Sequence, residues 1–214
     1  MAVGEAVDVV PTRWPDSTIV CVATGPSLTA EDVTFCRGKA PVIVVNDAYR
    51  LAPWADALVA NDYSWWLHHE GVPGFRGDKW GVLHPTWTQP ERWPDVRQLR
   101  ITGSAGLETD PSAIRTGKNS GYTAVNVAIH YGARRVVLLG YDMGAPKHGP
   151  QHFFGDHRWA PGQRSPYHTF IDLFHSMRPD LERLGVEVVN ASRQTALTCF
   201  PRVALADALE RVAA

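Results

Sequence analysis

Several features that would assign a function class are scarce or missing in this 214-residue chain. No apolar stretch approaches the roughly 20 residues of a membrane-spanning helix, so we expect no membrane span. Neither sign of charge is in excess, because 21 Lys and Arg oppose 22 Asp and Glu, and no overall field favours nucleic acid or membrane. The first residues lack the basic-then-apolar order of a signal peptide, which predicts a cytoplasmic protein.

Cysteine and the common catalytic signatures are also scarce. Cys21, Cys36 and Cys199 are an odd number at no metal-like spacing, so we predict reduced, buried thiols. The Walker pattern G-x-x-x-x-G-K-[ST] is missing, and no G-x-G-x-x-G follows the first predicted strand. The nucleophile elbow G-x-S-x-G of α/β-hydrolases is missing as well.

Short apolar runs alternate with helical patterns along the chain. This order predicts an α/β fold, Rossmann-like, with an open, mostly parallel sheet flanked by helices. Five strands are predicted, at Thr18–Ala23, Pro41–Val45, Asp56–Ala60, Arg134–Leu139 and Val186–Asn190. A helix from about Tyr167 to Leu184 follows the fourth strand, and Pro179 should kink or split it.

The chain is predicted to form one nucleotide-binding domain over residues 1–214. Residues 72–118 are rich in Pro, Gly and Trp and are predicted to be a partly irregular insertion with two short strands, GVLH and QLRIT. Residues 143–165 are polar and basic and are predicted to form a lid loop.

Small and polar residues follow four of the predicted strands. Ligands of open parallel sheets bind outside the carboxyl ends of the strands, so we expect one shared crevice. The residues at these ends are Thr24 to Ser27, Asn46 and Asp47, Asn61 and Asp62, and Gly140 and Asp142. Gly25 would let the backbone approach a ligand, and the asparagines suit ribose hydroxyls or a base edge. Taken singly, Asn and Asp are also ordinary turn residues.

A second helix start carries a similar composition. The stretch GKNSGYTAVNVAIHYGA predicts an amphipathic helix from about Ser120 to Tyr131, with Asn119 or Ser120 as its cap. Gly121 permits close packing or the close approach of a substrate. Lys118 lies where it could meet a phosphate.

Five stretches, ATGPSL, VNDAYR, VAND, NSGYTAVNVAIHYGARRVVLLGYDM and NASRQTALTCF, carry a family resemblance. In this order they resemble the bacterial sialyltransferases of glycosyltransferase family 42. They are also similar to the MptE-like proteins once called domain of unknown function 115, including uncharacterised phage and prophage members. The resemblance covers about Ile19 to Leu209 apart from Val72 to Arg115. It implies transfer of a sugar from a nucleotide-sugar co-substrate to a hydroxyl acceptor by direct displacement, with no cofactor required.

The resemblance and the strand ends together give the predicted site. The predicted nucleotide-binding residues are Thr24, Gly25, Pro26, Ser27, Asn46, Asn61, Asp62, Asn119, Ser120, Gly121, Asp142 and Thr195. The family has Asn at the position of Thr24. Its general base is a histidine before the last long helix, and counting back from Thr195 places that base on His168. A neutral imidazole there could accept the proton of the attacking hydroxyl, although His168 alone could equally be an ordinary helix-start residue.

The chain departs from the family after Asp142. The family has two tyrosines there that hold the leaving phosphate, and MGAPKHGPQHFFGDHRWAPGQR contains none. It supplies cations instead, and the predicted phosphate-binding residues of this lid are Lys147, His148, His152, His157, Arg158 and Arg164. A solvated, mobile loop is the alternative interpretation. The departure leaves the base and the sugar of the donor open.

Two other functions remain open. One is an MptE-like pyrophosphokinase or nucleotidyl transferase that uses ATP and Mg²⁺, since Asp47, Asp62 and Asp142 are predicted to face one crevice. The other is a non-catalytic nucleotide-binding module. No protein-held metal site is predicted, because Gly149, Pro150 and Gly155 argue against a helix that could align the nearby histidines. Expected partners are a nucleotide or nucleotide-sugar, a hydroxyl acceptor (a glycan, a small molecule or a modified DNA base) and a second copy of the chain as a homo-oligomer.

Overall fold

The computed structural model describes residues 8–84, 87, 90–144, 149–155 and 164–210. Their strands form one sheet of eight. The strands are β1 (Ser17–Val22), β2 (Val42–Val45), β3 (Ala57–Val59), β4 (Asp78–Leu83), β5 (Val96–Gly103), β6 (Ala113–Arg115), β7 (Ala133–Leu139) and β8 (Glu187–Asn190). Their order is β6-β5-β4-β3-β2-β1-β7-β8, and every neighbouring pair is parallel. The predicted Rossmann-like α/β class is confirmed.

Helices cover both faces of this sheet. They are α1 (Ala30–Cys36), α2 (Tyr63–His68), α3 (Ser120–His130), α4 (Tyr167–His175), α5 (Arg178–Leu184) and α6 (Leu205–Glu210). Helices α3, α4 and α5 pack on one face, and α1, α2 and α6 pack on the other. Among the described residues, none of the helices has the length and apolar character needed to cross a bilayer.

The long helix predicted before β8 is split as expected. Helix α4 ends at His175 and α5 begins at Arg178, with Pro179 in the first turn of α5. Proline has no N–H and its ring clashes with the carbonyl of the preceding turn, so it fits only near a helix start.

Residues 72–118 contribute more regular structure than the sequence predicts. The predicted GVLH strand overlaps the end of β4, which stops one residue before His84, and the predicted QLRIT strand lies within β5; β6 adds a third strand, and all three belong to the common sheet. The tryptophans here, Trp80, Trp87 and Trp93, are all buried in the core. The Trp80 side chain is buried within β4 and its Nε1–H donates to the hydroxyl of Tyr131 at 2.7 Å. Strand and loop cannot be told apart from this Trp- and Gly-rich composition alone.

The strand order reverses at β1. The chain adds β2 to β6 on one side of β1 and then returns through α3 to place β7 on the other side. Helix α3 packs against both β1 and β7. Crevices open at the carboxyl ends of the strands where such a reversal occurs.

Candidate functional site

A pocket of about 200 Å³ opens at this reversal, at the carboxyl end of the sheet. Its walls come from the loops after β1, β2, β3 and β7 and from the starts of α3 and α4. The predicted site residues that line it are Thr24, Gly25, Asn46, Asp62, Asn119, Ser120, Gly121, Asp142 and His152. The structure therefore brings together residues that are far apart in the sequence.

The start of α3 presents backbone N–H groups to the pocket. Asn119 is the cap, and its Oδ1 accepts the N–H of Tyr122 at 2.8 Å. Within the described part of the chain this leaves the N–H groups of Ser120 and Gly121 for a ligand. Lys118 lines the same wall, is exposed, and holds a left-handed φ of 57°. A helix N-terminus next to a lysine favours an anion.

Gly25 and Gly121 are required by packing within the protein. A Cβ on Gly25 would lie 2.2 Å from Oδ1 of Asp142 and 2.5 Å from the carbonyl oxygen of Gly140. A Cβ on Gly121 would lie 3.0 Å from Cε1 of Tyr141. The break in the apolar run after β1 thus lets this loop seat against the turn that follows β7.

Asp142 joins that turn to the loop after β1. Its Oδ2 accepts the N–H of Ser27 at 2.8 Å, while Ser27 Oγ accepts the N–H of Gln194 at 3.2 Å. Burial raises the pKa of Asp142, and the hydrogen bond from Ser27 opposes that rise. Pro26 and Ser27 are not part of the pocket lining, so Ser27 acts here as a structural link.

Two acceptor atoms of lining residues have no hydrogen-bond partner among the described residues. They are Oδ1 of Asp142 and Oδ1 of Asn46, and both atoms are buried. Asn46 also has a φ of 47°, in the left-handed region. Unpaired buried acceptors and a strained backbone are features that cluster at ligand sites. Both acceptors suit a ligand that donates hydrogen bonds.

Asn61 and Asp62, which follow β3, have different surroundings. The backbone N–H of Asn61 donates to Ser120 Oγ at 3.0 Å, and its side-chain amide donates to Thr123 Oγ1 at 3.0 Å. Asn61 is outside the lining and ties β3 to the start of α3. Asp62 is exposed and lines the pocket; it is the cap residue of α2, yet its side chain makes no capping bond.

Asp47 does not face the crevice, which corrects the prediction of three carboxylates there. Its Oδ2 accepts Nε1–H of Trp65 at 2.9 Å, and its Oδ1 lies 3.0 Å from the Arg50 guanidinium. Burial alone would raise the pKa of Asp47, but the nearby His69 ring and the hydrogen bond from Trp65 outweigh it, and the net shift is downward. The described residues contain no group of three or more His, Cys, Asp or Glu able to hold a metal ion.

The other predicted residues are scattered. Thr195 is used by its own loop: its hydroxyl donates to the carbonyl oxygen of Tyr141 at 2.7 Å and accepts from Asn190 at 3.0 Å. His168 is exposed on α4 and is not part of the lining, and Arg164 is also exposed. Four predicted lid residues lie outside the described residues, namely Lys147, His148, His157 and Arg158.

His152 fixes residues 149–155 to the loop after β1. Its Nδ1 lies 2.9 Å from Thr24 Oγ1, and the N–H of Phe153 donates to the carbonyl oxygen of Thr24 at 3.1 Å. The imidazole stacks on Phe154 with ring centroids 5.0 Å apart. Thr24 therefore contacts residues 149–155 through both its side chain and its backbone.

Sequence reasoning missed two aromatic residues of the site. Tyr167 and Phe170, in the first turn of α4, line the pocket. Their spacing of three residues at a helix start is the signal that places both side chains on one helix face. They add aromatic side chains to a pocket that is otherwise lined mainly by polar and small residues.

The chain was compared with known proteins. Neither a protein-family model nor a curated protein matches its sequence. Its structure is similar to that of the MAf glycosyltransferase from Magnetospirillum magneticum AMB-1, with a TM-score of 0.63 and 16% sequence identity. The similarity covers 92% of this chain and 35% of that one, so this chain spans about a third of the neighbour's length. At this identity the likeness shows a shared Rossmann-like fold.

Proposed function

We propose that this protein is a glycosyltransferase that binds the nucleotide of a nucleotide-sugar donor in the pocket at the carboxyl end of the sheet. One observation carries the proposal: the same pocket contains the N–H groups at the start of α3 and two acceptors without a hydrogen-bond partner among the described residues, Oδ1 of Asn46 and Oδ1 of Asp142. The fold that it shares with a glycosyltransferase supports the same reaction class. Family 42, whose motifs the sequence resembles, supplies the precedent for direct displacement.

The two ends of the pocket suit the two ends of a nucleotide. The N–H groups of Ser120 and Gly121 and the Lys118 ammonium would hold the phosphates. Oδ1 of Asn46 and Oδ1 of Asp142 would accept hydroxyl or amino hydrogens of the nucleoside. A simple inorganic anion would satisfy only the first set. A ligand that carries both phosphate and hydrogen-bond donors therefore fits better.

In the reaction, the acceptor hydroxyl attacks the anomeric carbon of the donor sugar. The bond from that carbon to the phosphate oxygen breaks, and its electron pair stays on the oxygen. The α3 start and Lys118 would stabilise the charge that develops there, which is the kind of preorganised electrostatic contribution that dominates many enzymes.

An ATP- and Mg²⁺-dependent pyrophosphokinase or nucleotidyl transferase is the second candidate. Asp62 and Asp142 both line the pocket, and Mg²⁺ is commonly held by one or two carboxylates together with substrate phosphates. Metal dependence separates the two candidates, because the transferase proposed above needs no cofactor.

Calorimetric titration of CMP, UDP, GDP, ADP and ATP, each with Mg²⁺ and with EDTA, tests the proposal. We expect one nucleotide to bind in EDTA and Lys118→Ala to weaken it about tenfold, or ~1.4 kcal/mol, the lower end for a hydrogen bond to a charged group. Lys39→Ala is the matched control, since Lys39 lies over the Phe35 ring and outside the pocket lining. Release of nucleotide from the cognate nucleotide-sugar then tests turnover.

Binding of ATP only with Mg²⁺ would favour the pyrophosphokinase. Binding without any turnover would favour the non-catalytic module. Equal affinity in the Lys118 and Lys39 variants would place the phosphates elsewhere.

A further inference from the structure

Asp62 and His84, two residues whose side chains can exchange protons, follow the carboxyl ends of the neighbouring strands β3 and β4. These strands are parallel neighbours: Val59 pairs with Trp80, and the N–H of Ala60 donates to the carbonyl oxygen of Trp80 at 3.1 Å. Asp62 lies three residues beyond Val59 and His84 lies four beyond Trp80. Neighbouring strands are about 4.8 Å apart, so the two residues leave the sheet at the same edge.

Trp87 fixes the two strand ends to each other. Its backbone N–H donates to the carbonyl oxygen of His84 at 2.8 Å, and its Nε1–H lies 3.4 Å from the carbonyl oxygen of Asn61. The ring is buried over Gly81, where a Cβ would come within 2.7 Å of it. Through Trp87, His84 is thus tied to Asn61, the residue before Asp62.

Asp62 and His84 are exposed, and Asp62 lines the pocket. Desolvation by the pocket walls raises the pKa of Asp62, although the residue keeps contact with water, and the charge of His84 opposes that rise.

The pair lies beside the proposed phosphate end of the donor. The N–H of Asn61, the residue before Asp62, donates to Ser120 Oγ at 3.0 Å, so Asp62 directly follows a residue that contacts the start of α3. In a nucleotide-sugar the anomeric carbon is bonded directly to a phosphate oxygen. A base beside the α3 start would therefore lie close to the reacting carbon; Asp62, the neighbour of His84, lines the pocket, whereas neither His84 nor His168 is part of the lining.

We infer that His84 is the general base of the proposed transferase and that Asp62 is its electrostatic partner. This assignment rests on the proposed function and moves the base away from His168. Neutral His84 accepts the proton of the acceptor hydroxyl while the hydroxyl oxygen bonds to the anomeric carbon. The donor's bond to the phosphate oxygen breaks with its electron pair on that oxygen, and the Asp62 carboxylate stabilises the imidazolium formed.

The pairing is tested first without any substrate. Carbon-13 NMR titration of the Asp62 carboxyl is compared between the wild type and His84→Gln. Loss of the imidazolium should raise the pKa of Asp62, because the His84 charge opposes the desolvation of this carboxyl. His175→Gln, an exposed histidine of α4, is the control and should leave it unchanged. An Asp62 titration that is the same in all three proteins overturns the pairing.

Turnover tests the role. Nucleotide release is measured with UDP-glucose, UDP-N-acetylglucosamine, GDP-mannose and CMP-sialic acid, and the pH–rate profile is recorded for the donor that reacts. His84→Gln should lower kcat by ~10²- to 10⁴-fold with donor affinity unchanged and should remove the acid limb of the profile. His168→Gln and His175→Gln should stay within a few-fold of the wild type.

Each failure is distinguishable. A loss confined to His168→Gln overturns the assignment of His84 but leaves the proposed function intact. Wild-type protein that binds no nucleotide overturns the proposed function, and the base assignment falls with it.

Discussion

The close contact between Gly25 and the turn after β7 predicts that a side chain at position 25 destabilises the fold. Substituting Gly25→Ala would place a Cβ 2.2 Å from Oδ1 of Asp142 and 2.5 Å from the carbonyl oxygen of Gly140. The carboxylate can rotate, but the Gly140 carbonyl is backbone and accepts the Gly25 N–H at 2.8 Å. Overpacking typically costs 1–3 kcal/mol, and two contacts this short point to the upper end, about 3 kcal/mol.

Thermal unfolding followed by circular dichroism measures this cost. For a chain of this length each kcal/mol moves Tm by ~2–4 °C, so Gly25→Ala should lower Tm by ~6–12 °C. Gly103→Ala is the control, because Gly103 lies at the end of β5 and a Cβ there meets nothing within 4 Å. If both variants unfolded at the same temperature, the close seating of the β1 loop on the β7 turn would be refuted.

Two further substitutions test the walls of the pocket. Asn119→Ala removes the cap of α3 and should cost ~1 kcal/mol, seen as a fall in the urea midpoint, whereas Asn119→Asp should retain the cap and the stability. Burial raises the pKa of Asp142 in the folded state, so the folded chain binds this proton more tightly than the unfolded chain. The contribution of Asp142 to the free energy of unfolding therefore falls as pH rises through the raised pKa. Asp142→Asn should remove that part of the pH dependence and raise the free energy of unfolding at pH 7, while weakening nucleotide binding; an unchanged pH profile would refute the assignment.

The central strands could be predicted from the sequence because burial on both faces leaves an apolar run with clear ends. Strand β2, for example, is four consecutive buried apolar residues. Strands β4 to β6 could not be delimited, because Trp80 and Gly81 inside β4 resemble a loop in composition. Their place in the sheet depends on long-range packing, such as that of Trp87 over Gly81, which no local pattern encodes.

The position of the pocket at the strand ends was predictable, but the direction of each polar side chain was not. The left-handed φ of Asn46 begins a 3₁₀-helix, and the following residue, Asp47, contacts Trp65 and Arg50 instead of the pocket. The hydroxyl of Thr195 could bind a ligand, but it donates to the carbonyl oxygen of Tyr141 and accepts the N–H of Leu197 instead. His84, the proposed base, was missed because it follows β4, and that strand lies in the stretch predicted as a partly irregular insertion.

A crystal structure with the tightest-binding nucleotide is the most direct test of the pocket as a nucleotide site. It should show phosphate oxygens within hydrogen-bond distance of the N–H groups of Ser120 and Gly121, and nucleoside donors on Oδ1 of Asn46 or Asp142. A nucleotide bound elsewhere, with this pocket unoccupied, would contradict the proposed function.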